Sequence, residues 1–337
     1  MSNNFKSYYK FDEIPLSEIK DSIIIVDGQL LLYQAMCGFR NEDGNYFVNL
    51  KGQVTSHVYG VYFKLLSWLK NNNKIIFCLD GKKIKEKLDL TVKKRYERTK
   101  KLEQKLANLQ KSIIVSKQEI ISIKKSIIKI GKELYPSLER ALSLLGIQVV
   151  YAKAEAQSQC SQIYSELKKK GIHNLFILTP DSDILAFNGD SVIMNIKKDI
   201  AYVLNKKKSL DSLDLTLDQF IDCILLSGND YHKGIPKIGP IISKRLISRY
   251  NSFLKIPQNL FRTDQLEVFK YLKENYLYFF NLFKNPPVFK EIDILDTPCD
   301  LVALEQFFVN ELDFSRRILI PLLNILLKKN NQNLFEE

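Results

Sequence analysis

The sequence predicts an α/β fold built on a mostly parallel sheet. Short apolar runs rich in β-branched residues recur through the first two thirds of the chain, and helical patterns separate them. Continuous apolar runs suit strands that are covered by helices on both faces, as in a three-layer domain. After about Leu215 these runs stop and the pattern is helical. The 337 residues provide about two domains' worth of chain.

Each predicted element rests on its own stretch of sequence. The predicted strands are 22–26, 74–79, 148–151, 175–178 and 191–194. The helical patterns between them cover 30–37, 57–69, 135–145 and 156–169. Proline and glycine then punctuate the helical last third of the chain at 234–240.

Composition excludes several classes of protein. Hydrophobic residues make up 45% and charged residues 26%, which excludes a disordered, collagenous or disulfide-rich chain. The five scattered cysteines indicate small buried side chains in a reducing compartment, and three histidines are too few for a zinc site. We find no signal peptide, and the longest apolar run, 318–327, is short of the roughly 20 residues that span a bilayer. We therefore expect an intracellular protein.

The positive charge is concentrated in one segment. The formal net charge is +12, and residues 81–140 hold 18 Lys and Arg against 7 Asp and Glu. Within this segment, leucine and isoleucine recur at helical spacing from Leu102 to Ile127. The pattern predicts one or two long basic amphipathic helices, and an excess of this sign favours an anionic partner such as nucleic acid. The alternative is a solvated helical hairpin that packs on the body of the protein.

Acidic residues follow several predicted strands. Ligand sites in open α/β sheets lie at the carboxyl ends of the strands, so these carboxylates should gather at one edge. Like charges at close range cannot all stay ionised unless cations neutralise them, and all-oxygen ligands select Mg²⁺ or Mn²⁺. For any single residue the alternative is a helix cap or a turn. The residues are Asp27, Asp80, Glu155, Asp181 and Asp183.

A later glycine-rich segment adds a second kind of site. Residues 226–244 contain Asp230 and then a Gly-Ile-Pro-Lys-Ile-Gly-Pro hairpin between two helical stretches. A hairpin of this kind presents backbone N–H groups at the start of a helix, where a phosphate can bind. It reads no bases, so it suits contacts with the DNA backbone.

These blocks together resemble the flap endonuclease/XPG family of structure-specific 5′ nucleases. Their order and spacing match over most of residues 22–247, and a fainter similarity continues into the helical tail. The matching blocks are IIIVDGQLLLYQ (23–34), IIFCLDGKK (75–83), KKRYER (93–98), AEAQSQC (154–160), LTPDSDIL (178–185) and LLSGNDYHKGIPKIGP (225–240).

The resemblance implies a PIN-like nuclease domain, formed by residues 1–80 and 135–214. Residues 81–134 would be a basic helical arch, and residues 215–337 a helical region with a helix–hairpin–helix DNA-binding motif. The domain would bind two Mg²⁺ ions, for which Mn²⁺ can substitute. By the same resemblance the metal ligands would be Asp27, Asp80, Glu155, Asp181, Asp183 and Asp230.

Further roles are implied for basic and aromatic residues. Lys87 and Arg95 would neutralise charge on the scissile phosphate, with Lys93 and Lys94 as competing assignments. The alternative for each is a solvated helix side chain. Tyr33 would stack on a base near the cleaved bond, or else it is a buried core tyrosine.

The hairpin of the family grips duplex DNA and holds a K⁺ ion through backbone carbonyls. We assign this role to the segment that contains Gly234, Ile235, Ile238 and Gly239, together with Lys244. The expected partner is branched or flapped DNA, bound by a monomeric protein in the nucleus, or in the host nucleus or cytoplasm if the source is a large DNA virus.

Three features depart from the family pattern. The second glutamate of its E-x-E motif falls on Gln157, although a shift by two residues would place Lys153 and Glu155 at the two positions. The family's Met-Gly-Ile-x-Gly-Leu start is missing from 1–9, and 332–337 lacks the paired aromatics of a sliding-clamp peptide. We expect a Mg²⁺-dependent flap endonuclease and 5′–3′ exonuclease acting in DNA replication and repair, and weaker metal binding because of Gln157. The alternatives are a junction-resolving nuclease of the family and a junction-binding protein with an impaired centre.

Overall fold

The structure, a computed structural model, describes residues 9–82, 84, 93–111, 116–295 and 297–333, with side chains up to residue 324. Seven strands are present in this part of the chain: β1 Phe11–Pro15, β2 Ile23–Asp27, β3 Lys74–Leu79, β4 Gln148–Tyr151, β5 Leu175–Leu178, β6 Ser191–Lys197 and β7 Ile200–Asn205. The helices before Leu215 are α1 Gly28–Gly38, α2 Ser56–Lys70, α3 Lys93–Gln110, α4 Lys117–Ser126, α5 Tyr135–Leu144, α6 Ala156–Lys169 and α7 Lys206–Leu213.

The rest of the described chain is helical. It contains α8 Leu217–Ser227, α9 Pro240–Tyr250, α10 Thr263–Glu274, α11 Tyr276–Lys284, α12 Leu301–Glu305 and α13 Arg316–Asn333, with a π-helical turn at Gln306–Glu311. Within the described residues, no helix is both long and apolar enough to cross a membrane.

The described chain divides into two compact units. The first unit comprises Met1–Pro15, Asp80–Arg95 and Tyr151–Ile292, and the second comprises Leu16–Leu79, Tyr96–Val150 and Asp293–Glu337. Each unit therefore draws on three separate stretches of the chain.

The second unit is organised around a parallel strand pair and two helices. Strands β2 and β3 pair in parallel with Ile24 opposite Ile75, and both strands are almost fully buried. Helix α1 follows β2 directly and packs against α2, which buries Tyr62 and Trp68. A Cβ atom on Gly28 would lie 2.2 Å from the Phe77 ring, so glycine is required where α1 starts beside β3.

The first unit contains two strands that the sequence did not predict. Strand β5 pairs in parallel with β6, which continues into an antiparallel hairpin with β7, and β1 adds to β7 as a further antiparallel strand. The hairpin turns at Lys198 and Asp199, both of which have positive φ. Asn-Gly usually occupies such a turn, and because it is absent here the sequence carries no hairpin signal. Strand β1 ends at Pro15, as an edge strand can.

The predicted arch contains two helices in its described part. Helix α3 has no buried residue, and α4 buries Ile123. Two ion pairs join the outgoing and returning limbs: Lys105 to Glu119 at 3.1 Å and Lys129 to Glu103 at 2.6 Å. Helix α4 also contacts α1. The described part of the segment is thus a helical hairpin whose second helix packs against α1. Its role as a helical arch stays a prediction.

The predicted fold class is confirmed: the chain is an α/β protein with a mixed, mostly parallel sheet, followed by helices. Three of the five predicted strands have the predicted bounds, and the other two differ by at most three residues at either end. The four helical patterns correspond to α1, α2, α5 and α6.

Candidate active site

Five of the six predicted carboxylates belong to the first unit. Asp80 follows β3 directly, and Glu155 precedes α6 as its N-terminal cap. Asp181 and Asp183 lie in the turn after β5, and Asp230 follows α8. Their positions at strand and helix ends agree with the predicted pattern.

Asp80 is fixed beside the start of α6. Its Oδ1 accepts a hydrogen bond from the backbone N–H of Ala156 at 2.9 Å, and the N–H of Gly81 donates to the carbonyl of Ala154 at 2.8 Å. A Cβ atom on Gly81 would lie 1.8 Å from the carbonyl oxygen of Ala152. Gly81 is therefore required by a close backbone approach and not by a turn with positive φ.

Glu155 is adjacent to this contact and is 6% exposed. The residues two positions before and two positions after Glu155 differ in environment. Lys153 is exposed. Gln157 lies in the first turn of α6, and its buried Nε2 has no hydrogen-bond partner among the described residues. The register of the motif, with Glu155 and Gln157 at the two glutamate positions, stays a prediction.

Asp181 and Asp183 are held in a short 3-10 turn. The Oδ1 of Asp181 accepts from the N–H of Asp183 at 3.1 Å, and the N–H of Asp181 donates to Thr179 Oγ1 at 3.3 Å. Asp183 is 8% exposed. The turn therefore fixes two acidic residues directly after a buried strand.

Two tyrosines report the negative potential around these carboxylates. Burial, followed by the charges of Glu155, Asp230 and Asp183, raises the pKa of Tyr231 well above its ordinary value, and the Tyr231 hydroxyl hydrogen-bonds to Glu155. Burial, followed by the charge of Asp183, also raises the pKa of Tyr9. Asp183 is the carboxylate whose charge raises the pKa of both tyrosines.

Neither tyrosine was predicted as a site residue. Tyr231 directly follows Asp230 in the Gly-Asn-Asp-Tyr block, so its place beside a predicted metal ligand could have marked it as a site residue. Tyr9 precedes an edge strand that the sequence analysis missed, and no motif marks it.

The sixth carboxylate, Asp27, lies in the second unit. It ends β2, is 6% exposed and caps α1, since its Oδ1 accepts from the N–H of Leu30 at 3.1 Å. The capping alternative is therefore correct for this residue, and its role as a metal ligand stays a prediction. Tyr33, on α1, is half-buried, so both of its proposed roles remain open.

The basic residues have a different environment. Lys93, Lys94 and Arg95 form the exposed start of α3. Lys87 lies outside the described residues, so its predicted role stays untested.

The helix–hairpin–helix consists of α8, the hairpin and α9. Gly234 has a φ of 70°, and a Cβ there would lie 2.3 Å from the backbone nitrogen of Gly228. The side chains of Ile235 and Ile238 are buried, so they anchor the hairpin and leave its backbone as the surface available to a ligand. Gly239 caps α9, whose first turn has no side-chain cap, and Lys244 lies on α9, half-buried.

The donors of the carboxylate set suit a hard divalent cation. All are carboxylate oxygens, and burial of Glu155 and Asp183 is costly without a compensating positive charge. Among the residues that the structure describes, no group of three or more His, Cys, Asp or Glu side chains is arranged so that it could hold a metal ion. The chemistry of the set fits a metal, while the coordination shell itself stays a prediction.

Comparison with known proteins gives the same assignment in two ways. The XPG N-terminal domain model matches residues 7–102, and the XPG I-region model matches residues 146–230. Flap endonuclease 1 of Glycine max is 30% identical over 306 residues, covering 87% of this chain and 76% of that protein. Flap endonuclease 1 of Theileria parva is 30% identical over 94% of this chain, which spans 62% of that relative.

Solved structures share the fold. Flap endonuclease-1 from Methanococcus jannaschii superimposes with a TM-score of 0.69 at 24% identity, covering 96% of this chain and 99% of that chain. The catalytic core of Rad2 in complex with DNA substrate gives a TM-score of 0.68 at 20% identity, covering 94% and 96% of the two chains. With the family models, the relatives and the carboxylates of the first unit in agreement, the chain belongs to the flap endonuclease/XPG family of structure-specific nucleases.

Proposed function

We propose that this protein is a metal-dependent nuclease that cuts 5′ flaps and related branched DNA at the junction of single strand and duplex. The single observation that carries the proposal is the set of five carboxylates at strand and helix ends of one unit, in a chain of this family. Two of them, Asp80 and Asp181, accept hydrogen bonds from backbone N–H groups. Its relatives include flap endonucleases, and one similar structure, the catalytic core of Rad2, is a complex with a DNA substrate.

Two Mg²⁺ ions, when bound, would supply a nucleophilic hydroxide and stabilise the leaving oxygen. We propose that the first unit's five carboxylates hold them, with Asp27 carried over from the family. The protein's own contribution is to keep these oxygens oriented. The Ala156 N–H positions Asp80, the Asp183 N–H positions Asp181, and the Tyr231 hydroxyl positions Glu155.

The remaining predicted residues would bind and orient the DNA. Lys93, Lys94 and Arg95 offer positive charge to phosphates, and the backbone N–H groups at the start of α9 offer a phosphate site. Neither surface reads base edges, so recognition would follow DNA structure and not sequence. The roles of Lys87 and Tyr33, a K⁺ ion at the hairpin and a nuclear location are carried over from the resemblance and stay predictions.

The test is cleavage of a 5′-labelled double-flap DNA in Mg²⁺, with Mn²⁺ and EDTA as comparisons. A nicked duplex and a four-way junction of equal length measure exonuclease and resolving activity. We expect a product cut at the base of the flap, lost in EDTA and faster than cleavage of either control DNA. Tight binding without product in either metal would refute the proposal.

Gln157 provides a second arm of this experiment. An amide oxygen is a weaker ligand than a carboxylate, so we expect Gln157→Glu to lower the Mg²⁺ concentration needed for half-maximal cleavage. The binding-protein alternative predicts instead that the wild-type protein is inactive and that Gln157→Glu restores cleavage. No contact in the described structure favours that alternative.

A further inference from the structure

A cluster of polar contacts joins the returning limb of the arch to the end of α1 and the loop after it. Arg40 lies just past the C-terminal end of α1, and Tyr46 follows it across a short loop that forms an isolated β-bridge between the two residues. The guanidinium carbon of Arg40 stands 3.5 Å from the centre of the Tyr46 ring. We call this pair the clasp.

The guanidinium of the clasp connects three segments. Its Nε donates to the carbonyl of Met36 at 2.7 Å, at the end of α1. One Nη donates to the carbonyl of Gly44 at 3.4 Å and the other to the carbonyl of Ile127 at 2.8 Å. Since Ile127 caps the C-terminus of α4, Arg40 bonds the end of an arch helix to the end of a core helix.

The tyrosine binds the same limb through its hydroxyl. Tyr46 donates to the carbonyl of Ile127 at 3.3 Å and accepts from the backbone N–H of Lys129 at 3.0 Å. The loop between the two clasp residues also touches α4. Gly44 has a φ of 78°, and a Cβ there would approach the carbonyl of Ile121 to 3.0 Å. Glycine thus lets the loop lie directly against α4.

The outgoing helix of the arch, α3, is joined to the returning limb by exposed ion pairs. Helix α3 buries no side chain, and its described ties to the returning limb are the exposed Lys105–Glu119 and Lys129–Glu103 pairs. Exposed ion pairs contribute little and are screened by salt. One of them is made by Lys129, the residue whose N–H binds Tyr46. The clasp therefore fixes the returning limb, to which the two ion pairs tie helix α3.

We propose that Arg40 and Tyr46 are positioning residues that fix the base of the arch, so that loss of the clasp selectively slows cleavage of substrates whose free 5′ single strand must be guided by the arch. This inference rests on the proposed nuclease function. It assigns to Arg40 a role through backbone carbonyls of the protein.

Tyr46→Phe is the sharpest variant because it removes the hydroxyl without changing the charge or the ring. Tyr59→Phe is the matched control: it lies in the same unit, on α2, and its hydroxyl makes no hydrogen bond among the described residues. Arg40→Lys keeps the charge but cannot donate to three carbonyls in the same geometry. The thermal midpoint of each variant checks that it is folded.

The first readout does not depend on activity. We expect Tyr46→Phe to speed amide hydrogen exchange in the peptide that contains Lys129, since that N–H loses its acceptor, while Tyr59→Phe leaves it unchanged. The second readout is single-turnover cleavage of a long-flap DNA and of a nicked duplex without a flap. We expect Tyr46→Phe to lose about five- to tenfold on the flap, as ordinary hydrogen bonds allow, and less than about twofold on the nick.

Several outcomes would contradict the proposed role of the clasp. Unchanged exchange at Lys129, or unchanged flap cleavage by Tyr46→Phe in an active protein, contradicts it. Equal losses on both DNAs with a lower thermal midpoint indicate a general structural role. Loss in Arg40→Lys without loss in Tyr46→Phe indicates that Arg40 acts on the DNA directly. An inactive wild-type protein would instead refute the nuclease proposal, and the exchange measurement would still decide whether the clasp exists.

Discussion

The carboxylate set of the first unit and the basic helix α3 are built in opposite ways. The carboxylates are placed by backbone N–H donors and by burial: Asp80 is bonded to the start of α6, and Glu155 and Asp183 are almost fully buried. Helix α3 has no buried residue, and its described ion pairs are exposed. The first region is defined by geometry, and the second by charge.

The difference follows from what each region has to do. Metal ligands must hold their oxygens within a few tenths of an ångström, which requires rigid support from neighbouring elements. Attraction of a phosphate backbone acts over about 8–10 Å at ordinary ionic strength and tolerates movement of the charged group. We therefore expect substitutions in the first region to change chemistry and those in the second to change binding.

The largest effect should come from Asp181→Asn. The amide oxygen can still accept from the Asp183 N–H, so the fold is retained while a negative charge is lost. Removing groups that merely support metal ligands costs about 10–100-fold, so we expect loss of this ligand to cost more than about 100-fold in single-turnover cleavage. DNA affinity measured in Ca²⁺ should change less than about threefold. The matched control is Asp12→Asn, which alters an exposed carboxylate paired with Lys208; a comparable loss there would contradict the assignment.

Asp222 is a buried carboxylate outside the set, and it should make the stability of the first unit depend on pH. Asp222 accepts from the Phe253 N–H and the Tyr276 hydroxyl, both at 2.9 Å, and burial raises its pKa to about 6. Because the folded-state pKa exceeds the unfolded value, the stability that this group contributes is fully present below about pH 4. It is lost as the pH rises through about 6.

Asp222→Asn removes this titration. An asparagine can accept from the Phe253 N–H and donate to the Tyr276 hydroxyl, so both contacts can survive. We expect the variant to gain up to about 3 kcal/mol in free energy of unfolding relative to wild type between pH 4 and pH 7. Urea unfolding across this range measures it. A difference that is constant with pH would show that Asp222 does not titrate in the folded protein.

Gly81→Ala tests the geometric support of the carboxylate set. The new Cβ would meet the Ala152 carbonyl, so the backbone must shift, at a cost of about 1–3 kcal/mol. Because Asp80 is the preceding residue, cleavage should fall together with stability. Gly38→Ala is the control, as nothing lies within 4 Å of a Cβ at that position. Equal thermal midpoints for the two variants would show that the close approach at Gly81 is not required.

The smallest effect should come from the basic helix. We expect Lys93→Ala combined with Lys94→Ala to weaken DNA binding and to reduce the slope of log Kd against log salt by about one for each phosphate that the protein no longer neutralises. Single-turnover cleavage at saturating DNA should change little. Lys51→Ala with Lys70→Ala removes the same charge from exposed positions of the second unit. If both pairs lower the slope equally, α3 has no special role in binding.

Local pattern was sufficient to predict most of the fold. Buried strands such as β2 and β3 are continuous apolar runs. The glycine and proline residues at 234–240 predict the hairpin after α8. Strands β1 and β7 were missed because the first is a short edge strand and the second follows a turn made by Lys198 and Asp199, neither of them glycine or asparagine. Both depend on pairing with distant residues, which periodicity does not encode.

The same distinction holds for the site. Carboxylates directly after strands were predictable, since a strand end fixes where the next side chain lies. The backbone donors of Asp80, the contact of Tyr231 with Glu155 and the binding of Ile127 by Arg40 were not, because each joins residues at least 70 positions apart. Such contacts arise from packing that no local motif specifies.

The interleaving of the two units has a consequence for synthesis of the protein. The chain passes from one unit to the other five times, and the second unit is completed by residues after Asp293. Those late residues bind early ones: the Glu311 carbonyl accepts from Asn49, and the Ile318 carbonyl accepts from Tyr62. The ribosome must therefore release the chain beyond Ile318 before α2 has its final neighbours. A nascent chain stalled near residue 290 should remain sensitive to protease and dependent on chaperones, although most of the candidate active site has already been translated.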